Sequence, residues 1–481
     1  MTKKKSITKN YIYNVSYQVL ALITPLITTP YLSRVLEADG IGIYSFTAAV
    51  VSYFNMFAAL GTLTYGNREI SYLQDDRKAR SRVFWEIELL SIITTSICAV
   101  VYILFVIFGA GDNQLFFAIQ IFTLLTVGVD VVWFFQGMEE FGKIVLRNLI
   151  FKIINIAYIF IVVQTKEDLI FHIGGNAVLT FLSHVSLWIY LPKYVDAPEW
   201  KSLQPLRHLK GTFILFVPTV AMSIYTILDK TMIGIFSTAH ENGYYEQALN
   251  LSKTVLTLVT SLGAVMIPRM GYHYNRGEHE EVKNLAYQSY RFVWFLGIPI
   301  AFGLAGIASN IVPWFYGDGF MKLTILLPVL SMLIPIIGLS NVTGIQYLVT
   351  TKRENILTRS LCIGAVTNFF LNLILIPLWS SIGAAIASVS AELVITSVQF
   401  YFVRKEISIG KVIASSWKYA LSGVVMLAVL IGLGQVLTSS ILHTVIMVVC
   451  GVVVYFLMLF VVRDDFYMEY IRKLLNKFLK K

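Results

Sequence analysis

The sequence predicts an all-α polytopic membrane protein. Apolar stretches of about twenty residues recur along nearly the whole chain, charged residues are scarce, and the basic ones gather in alternate connections. A helix needs about 20 apolar residues to cross the hydrocarbon core, and only helices or closed barrels satisfy their backbone there. Hydrophobic residues make up 57% of the chain and charged residues 14%, with a mean hydropathy of +0.71. A soluble domain carries about 25% charged residues. The net charge of +10 would suggest nucleic acid in a soluble protein; here it reads as basic loops kept in the cytoplasm, and no nucleic-acid partner is expected.

Fourteen spans follow from the apolar runs, near residues 11–33, 41–63, 83–108, 115–136, 146–164, 169–190, 212–236, 244–268, 289–311, 323–349, 359–378, 382–403, 419–437 and 442–461. The first begins after Lys3-Lys4-Lys5, contains Pro25 and Pro30 and lacks a small-residue cleavage site, so it reads as an uncleaved span rather than a signal peptide. With an inside N-terminus, all of the 38 basic residues except Arg34, Lys166, Lys230, Lys253 and Lys322 fall on one side. That asymmetry predicts cytoplasmic termini. The outward loops, near 109–114, 165–168, 237–243, 312–322, 379–382 and 438–441, are short.

The connection from Leu191 to Gly211 contains Pro192, Pro198 and Pro205 and reads as a linker. The expected organisation is an N-terminal six-helix lobe over 1–195, a cytoplasmic linker over 196–211, a C-terminal six-helix lobe over 212–405, and two extra helices with a tail over 406–481. Both lobes start inside, which suits parallel repeats. The tail interleaves Phe466, Tyr467, Ile471, Leu474, Leu475 and Phe478 with Arg472, Lys473, Lys477 and Lys480, the pattern of a basic amphipathic helix on the inner leaflet.

Ionisable groups inside spans are costly, and by default face a bundle interior or a water-filled cavity. Asp130 lies in span four, Asp229 and Lys230 in span seven, Lys253 in span eight and Glu392 in span twelve, with Arg34 at the outer end of span one. Together they predict a polar, net cationic chamber between the lobes. Arg34, Lys230 and Lys253 are the candidate substrate-binding residues, holding an anionic group such as a pyrophosphate; Asp130, Asp229 and Glu392 are candidate ion-coupling carboxylates. The plainer alternative is local ion pairing, for instance Asp229 or Glu246 against Lys253. Asn55, Asn155, Asn341, Asn368 and Asn372 suit interhelical hydrogen bonds. Pro25, Pro30, Pro218 and Pro335 predict kinks.

Other chemistry is weakly represented. Gly137 to Lys143 has Walker A spacing, but Ile144 stands where Ser or Thr must hold magnesium, and a span precedes it instead of a strand. Cys98, Cys362 and Cys450 are far apart within spans, without disulfide or metal spacing. His172 and His184 are separate and read as structural. No cofactor or metal is expected, and no nucleophile elbow or catalytic triad stands out.

Several segments in order resemble the polysaccharide flippases of the multidrug/oligosaccharidyl-lipid/polysaccharide exporter superfamily, the Wzx-type O-antigen and capsule repeat-unit transporters. They are PLITTPYLSRVLEADGIGIY (Pro25 to Tyr44), YGNREIS (Tyr65 to Ser71), WFFQGMEEFGK (Trp133 to Lys143), ENGYYEQALNLSK (Glu241 to Lys253), IPRMGYHYNRGE (Ile267 to Glu278) and NLILIPLWSSIGAAIASVSAE (Asn372 to Glu392). One departure is Glu37, where the family commonly has Gly. The resemblance implies two six-helix lobes around a central cavity plus two peripheral helices. It implies a bacterial cytoplasmic-membrane transporter that turns undecaprenyl-pyrophosphate-linked oligosaccharide to the outer leaflet by alternating access, driven by a proton or sodium gradient. Membrane lipids and other polysaccharide-assembly proteins are the implied partners. Two alternatives stand beside this reading: a cation or drug antiporter of the same superfamily, which would favour a carboxylate-dominated cavity, and a membrane-bound polymerase or ligase, which would need larger outer loops.

Overall fold

The computed structural model describes the backbone of residues 7–469, and their side chains except 7–19, 21, 22, 217–219 and 221–226. Lys3 to Lys5 and the amphipathic tail beyond Glu469 lie outside the described residues. Every regular element among them is helical: α1 (Ile7–Ala59), α2 (Thr62–Ser71), α3 (Arg77–Phe108), α4 (Gln114–Ile119), α5 (Ile121–Leu125), α6 (Val132–Gly137), α7 (Phe141–Val162), α8 (Leu169–Ser186), α9 (Leu209–Phe236), α10 (Ala239–Thr260), α11 (Gly263–Asn275), α12 (His279–Phe315), α13 (Leu323–Ser331), α14 (Leu333–Asn341), α15 (Glu354–Val403), α16 (Ile409–Ala414), α17 (Trp417–Val436) and α18 (Ile441–Val461), with short 3-10 segments and one π segment, Val342–Val349.

Each expected span has its counterpart. At 53 and 50 residues, α1 and α15 would run to roughly 75–80 Å if straight, more than twice the bilayer core. Each instead holds two spans. The bend in α1 is at Glu37 (φ 56°, ψ −176°), and the bend in α15 is at Ser380 (φ 52°, ψ −126°). In α15 the two arms lie side by side: Gln399 Nε2 donates to Ser360 Oγ at 3.2 Å. Gly383 comes so close to the Leu375 carbonyl that a Cβ would collide with its oxygen. Span eight is α10 followed by α11, and span ten is α13, α14 and the π segment.

Span four departs from a continuous helix. It is α4, α5, a 3-10 turn at Val127–Val129 and α6, with a bend of 42° where α4 passes into α5 and a second interruption at Asp130. The β-branched residues around Gly128 and the extended backbone of Asp130 (ψ 103°) end one helix before the next begins.

The exposed side chains agree with a lipid environment. Ile97, Val100, Val452 and Leu457 lie exposed in mid-helix, and Phe108 is 83% exposed. So much exposed apolar surface would be an aggregation hazard in water. By length and composition, ten helices among the described residues can cross a membrane, or eleven with the bent span. The protein is a multi-pass membrane protein.

The chain packs as two compact units, Met1–Gly234 and Ile235–Lys481. Within the first, α1 and α3 pack through Phe54 on Tyr102 (4.9 Å between ring centres), and α7 meets α8 through Asn155 Nδ2 on Asn176 Oδ1 at 2.8 Å, the interhelical role expected of Asn155. Within the second, α17 and α18 pack on α12, with Tyr455 donating to the Phe295 carbonyl at 3.0 Å.

Contacts between connections test the alternation. In the second unit, Lys322 Nζ bonds both carboxylate oxygens of Glu241 at 2.7 Å, and the Ser381 backbone N–H donates to Glu241 at 3.2 Å. This joins three loops expected on one side. Arg353 bonds Glu406 at 2.7 and 2.8 Å, joining two loops expected on the other. In the first unit, Lys166 meets Glu37 at 3.2 Å, and Gln74 Nε2 donates to the Gly137 carbonyl at 2.6 Å. Every one of these pairs joins loops of the same side.

Candidate functional site

The break in span four is built from its own residues. A chain interruption in hydrocarbon leaves backbone groups that must find partners. Asp130 Oδ1 accepts the N–H of Val132, the first residue of α6, at 2.9 Å. Ser91 Oγ on α3 donates to the Val127 carbonyl at 3.2 Å, and Trp188 Nε1 donates to the Val129 carbonyl at 2.8 Å. Asp130 therefore stands at the helix interruption in span four, with Oδ1 3.8 Å from His184 Nε2. His184, read from sequence as structural, is the neighbour of a candidate carboxylate. The ring's Nδ1 lies 3.0 Å from the Thr180 carbonyl.

Two further carboxylates, Glu86 and Glu88, escaped the sequence reading although both fall inside span three. Two residues apart on a helix, they point about 200° from one another. Glu86, with no exposed surface, faces the linker. It accepts from Arg82 Nε at 3.1 Å and from the Gln204 N–H at 3.0 Å, lies 3.0 Å from His208 Nε2, and pairs with Arg207. A neutral His208 carrying its proton on Nε2 can donate to Glu86 while Nδ1 accepts from Tyr65 at 2.9 Å. Burial, only partly offset by Glu86, lowers the His208 pKa. Arg77 to Asp196 (2.8 Å), Arg80 to the Tyr194 carbonyl (2.8 Å) and Arg82 to the Ser202 carbonyl (3.0 Å) continue the clamp. The Pro-rich connection is thus tied along the first turns of α3.

Glu88 faces the opposite way. It is fully buried, and among the described residues neither carboxylate oxygen has a hydrogen-bond partner.

The remaining candidates lie as follows. Arg34 is exposed near the end of the first arm of α1, and its Nη1 donates to the Pro30 carbonyl at 2.8 Å. Asp229 is buried in α9 and acts electrostatically on Tyr53, whose hydroxyl accepts from Thr231 Oγ1 at 3.3 Å. Lys230 is half-buried beside it. In the second unit, Lys253 is exposed on α10, whereas Glu392 is buried on the second arm of α15. One turn before Glu392, Ser388 meets the Tyr245 hydroxyl at 2.8 Å. Asn368 and Asn372, both fully buried, bond each other at 3.0 Å along their helix.

Comparisons with known proteins match this architecture. The Polysaccharide biosynthesis protein family matches residues 7–272, more than half of the chain. A protein of Escherichia coli (strain K12) named an O-antigen transporter is 26% identical over 408 residues, covering 84% of this chain and 98% of that one. The glycan biosynthesis flippase Agl15 named in Haloferax volcanii is 22% identical over 349 residues, 72% of each chain. Among solved structures, the lipid II flippase MurJ in an inward closed conformation superposes with a TM-score of 0.76 at 17% identity, covering 96% of this chain and all of that one. An inward-facing multidrug resistance transporter of the MATE family superposes with a TM-score of 0.61 at 16% identity, over 81% of this chain and 99% of that one. The fold is that of these transporters, and the chain belongs to the polysaccharide biosynthesis protein family.

Proposed function

We propose that this protein flips undecaprenyl-pyrophosphate-linked oligosaccharide units from the inner to the outer leaflet of the bacterial cytoplasmic membrane, for O-antigen, capsule or exopolysaccharide synthesis. The observation that carries this reading is a flippase-like helical fold whose spans hold Lys230 and Lys253 together with buried carboxylates. The relatives are named as a transporter and a flippase, not as enzymes. Arg34, Lys230 and Lys253 engage the pyrophosphate or acidic sugars as point charges. Asp130, Asp229 and Glu392 are the sites where an ion gradient, of protons or sodium, biases one conformation over the other, because a ligand moves such an equilibrium only by binding the states unequally. Both termini are cytoplasmic. In the second unit, α12, α17 and α18 border an apolar groove of about 380 Å³ lined by residues such as Leu296, Pro299, Leu430 and Tyr455, which suits an isoprenoid chain while the head group crosses.

Deleting the gene and identifying the lipid-linked intermediates tests this reading. Accumulation of complete repeat units on the inner leaflet supports it. Normal export of single units with loss of polymer length points to a polymerase, and cationic-dye sensitivity alone points to an antiporter.

A further inference from the structure

Glu88 takes no part in the linker clamp around Glu86. Its side chain is fully enclosed in a membrane span, and both oxygens lack a donor. A structural carboxylate inside protein is normally surrounded by donors, as Glu86 is. An ionised carboxylate with none is prohibitively costly in an apolar medium, so such a group neutralises itself by taking up a proton.

The surroundings say where the proton could go. Glu88, Ser91 and Thr95 lie on one face of α3. Ser91 bonds the Val127 carbonyl, and Thr95 packs against Gly128, so this face lies on the broken segment of span four. Among the described charged groups, Asp130 is the one whose field reaches Glu88. Arg82, Arg207 and His208 are engaged with Glu86 on the opposite face, and Arg68 of α2 pairs with Glu69. Beyond Asp130 stands His184, which also feels Arg147 of α7. With Nδ1–H donated to Thr180, the neutral ring turns its Nε2 lone pair toward Asp130 Oδ1.

We propose that Glu88 is a proton-binding site of the first unit, occupied in this conformation, and that Asp130 and His184 form its exit through the broken span. On release, the Glu88 O–H bond breaks and the proton passes, through water admitted at the break, to the Asp130 carboxylate. It moves on to Nε2 of His184, leaving Glu88 ionised and the imidazole cationic. Ionised Glu88 cannot stay enclosed, so its discharge favours a conformation in which the break opens to water. This deepens the transport reading and rests on it for the coupling, though not for the bound proton.

Two measurements on the full-length protein in lipid separate the claims. Infrared difference spectroscopy of wild type at neutral pH is expected to show the carbonyl band of a buried protonated carboxylic acid, absent in Glu88→Gln. An absent band, or one unchanged in Glu88→Gln, overturns the proton site. In proteoliposomes with a fluorescent undecaprenyl-pyrophosphate disaccharide, a gradient of about one pH unit is worth about a tenfold equilibrium bias. Wild type should respond to it. Glu88→Gln, which keeps the shape of the neutral acid, should flip at one rate with or without the gradient. Glu88→Asp should regain part of the response, which a packing role alone would not restore. A full response in Glu88→Gln, or none in wild type that still flips, overturns the coupling role. If wild type flips no cargo under any gradient, the transport reading fails, and the infrared band still decides whether Glu88 holds a proton.

Discussion

Replacing Glu241 by Ala should loosen the second unit at the reversal of α15. The carboxylate receives Lys322 at 2.7 Å on both oxygens and the hydroxyl and N–H of Ser381, the latter at 3.2 Å. Ser381 opens the second arm of α15, directly after the positive-φ residue Ser380. Glu241 thus ties three connections together and accepts the N–H of the first residue after the α15 reversal. Removing one partner of a fully buried ion pair costs about 3–5 kcal/mol, whereas exposed pairs are worth about 0–1 kcal/mol. The Lys322 and Glu241 side chains are 28% and 17% exposed, which places this clamp between those limits, at roughly 2–3 kcal/mol. For a cooperative unit of this size each kcal/mol moves the midpoint by about 2–4 °C. The detergent-solubilised Glu241→Ala protein should therefore melt roughly 5–10 °C below wild type, with Glu241→Gln losing less because the amide oxygen can still accept from Ser381. A Glu241→Ala midpoint within about 2 °C of wild type would refute the idea that this clamp holds the reversal.

Other perturbations follow from the same geometry. Gly383→Ala places a methyl group against the Leu375 carbonyl oxygen; overpacking of this kind costs about 1–3 kcal/mol, so the variant should lose folded yield by fluorescence-detected gel filtration, while Gly432→Ala, with open space around it, should not. Glu37→Gly relieves a backbone conformation reserved largely for glycine, worth about 1–3 kcal/mol, and gives up only the exposed pair with Lys166; a melting midpoint at or above that of wild type is expected, and a clear loss contradicts the strain argument. Burial alone would raise the Glu406 pKa, but hydrogen bonds from Arg353 and Tyr347 outweigh it and hold it below the ordinary glutamate range. A depressed carboxylate pKa stabilises the fold fully above its unfolded value and loses that stabilisation as pH falls through the folded one. Melting curves should therefore weaken below about pH 4.3, and Arg353→Ala should flatten that acid limb.

The helical class and the number of spans were legible because a bilayer imposes a length and an apolarity that a one-dimensional reading detects directly. The basic asymmetry located the connections well enough that Glu241, Lys322 and Ser381 were placed on one side before any contact was known. The departure at Glu37 was also visible, as a non-glycine at the turn into span two; its φ of 56° gives the departure a physical meaning. What escaped depends on contacts between distant residues. The break at Asp130 is invisible to hydropathy, because the residues on both sides are as apolar as a continuous helix requires. The meeting of His184 with Asp130 spans more than fifty positions. Glu86 and Glu88 were within reach: two carboxylates in one apolar span deserve the same reading as Asp130, and their opposite helix faces predict the two environments observed.

The transport account is tested most directly by Lys230→Ala and Lys253→Ala in a strain lacking the chromosomal gene, with lipid-linked repeat units assayed on each leaflet. Both variants should reach the membrane at wild-type abundance yet leave the units on the cytoplasmic leaflet, with surface polysaccharide strongly reduced. Full export by both variants, at wild-type abundance, would contradict the role of these ammonium groups in carrying a pyrophosphate head group across.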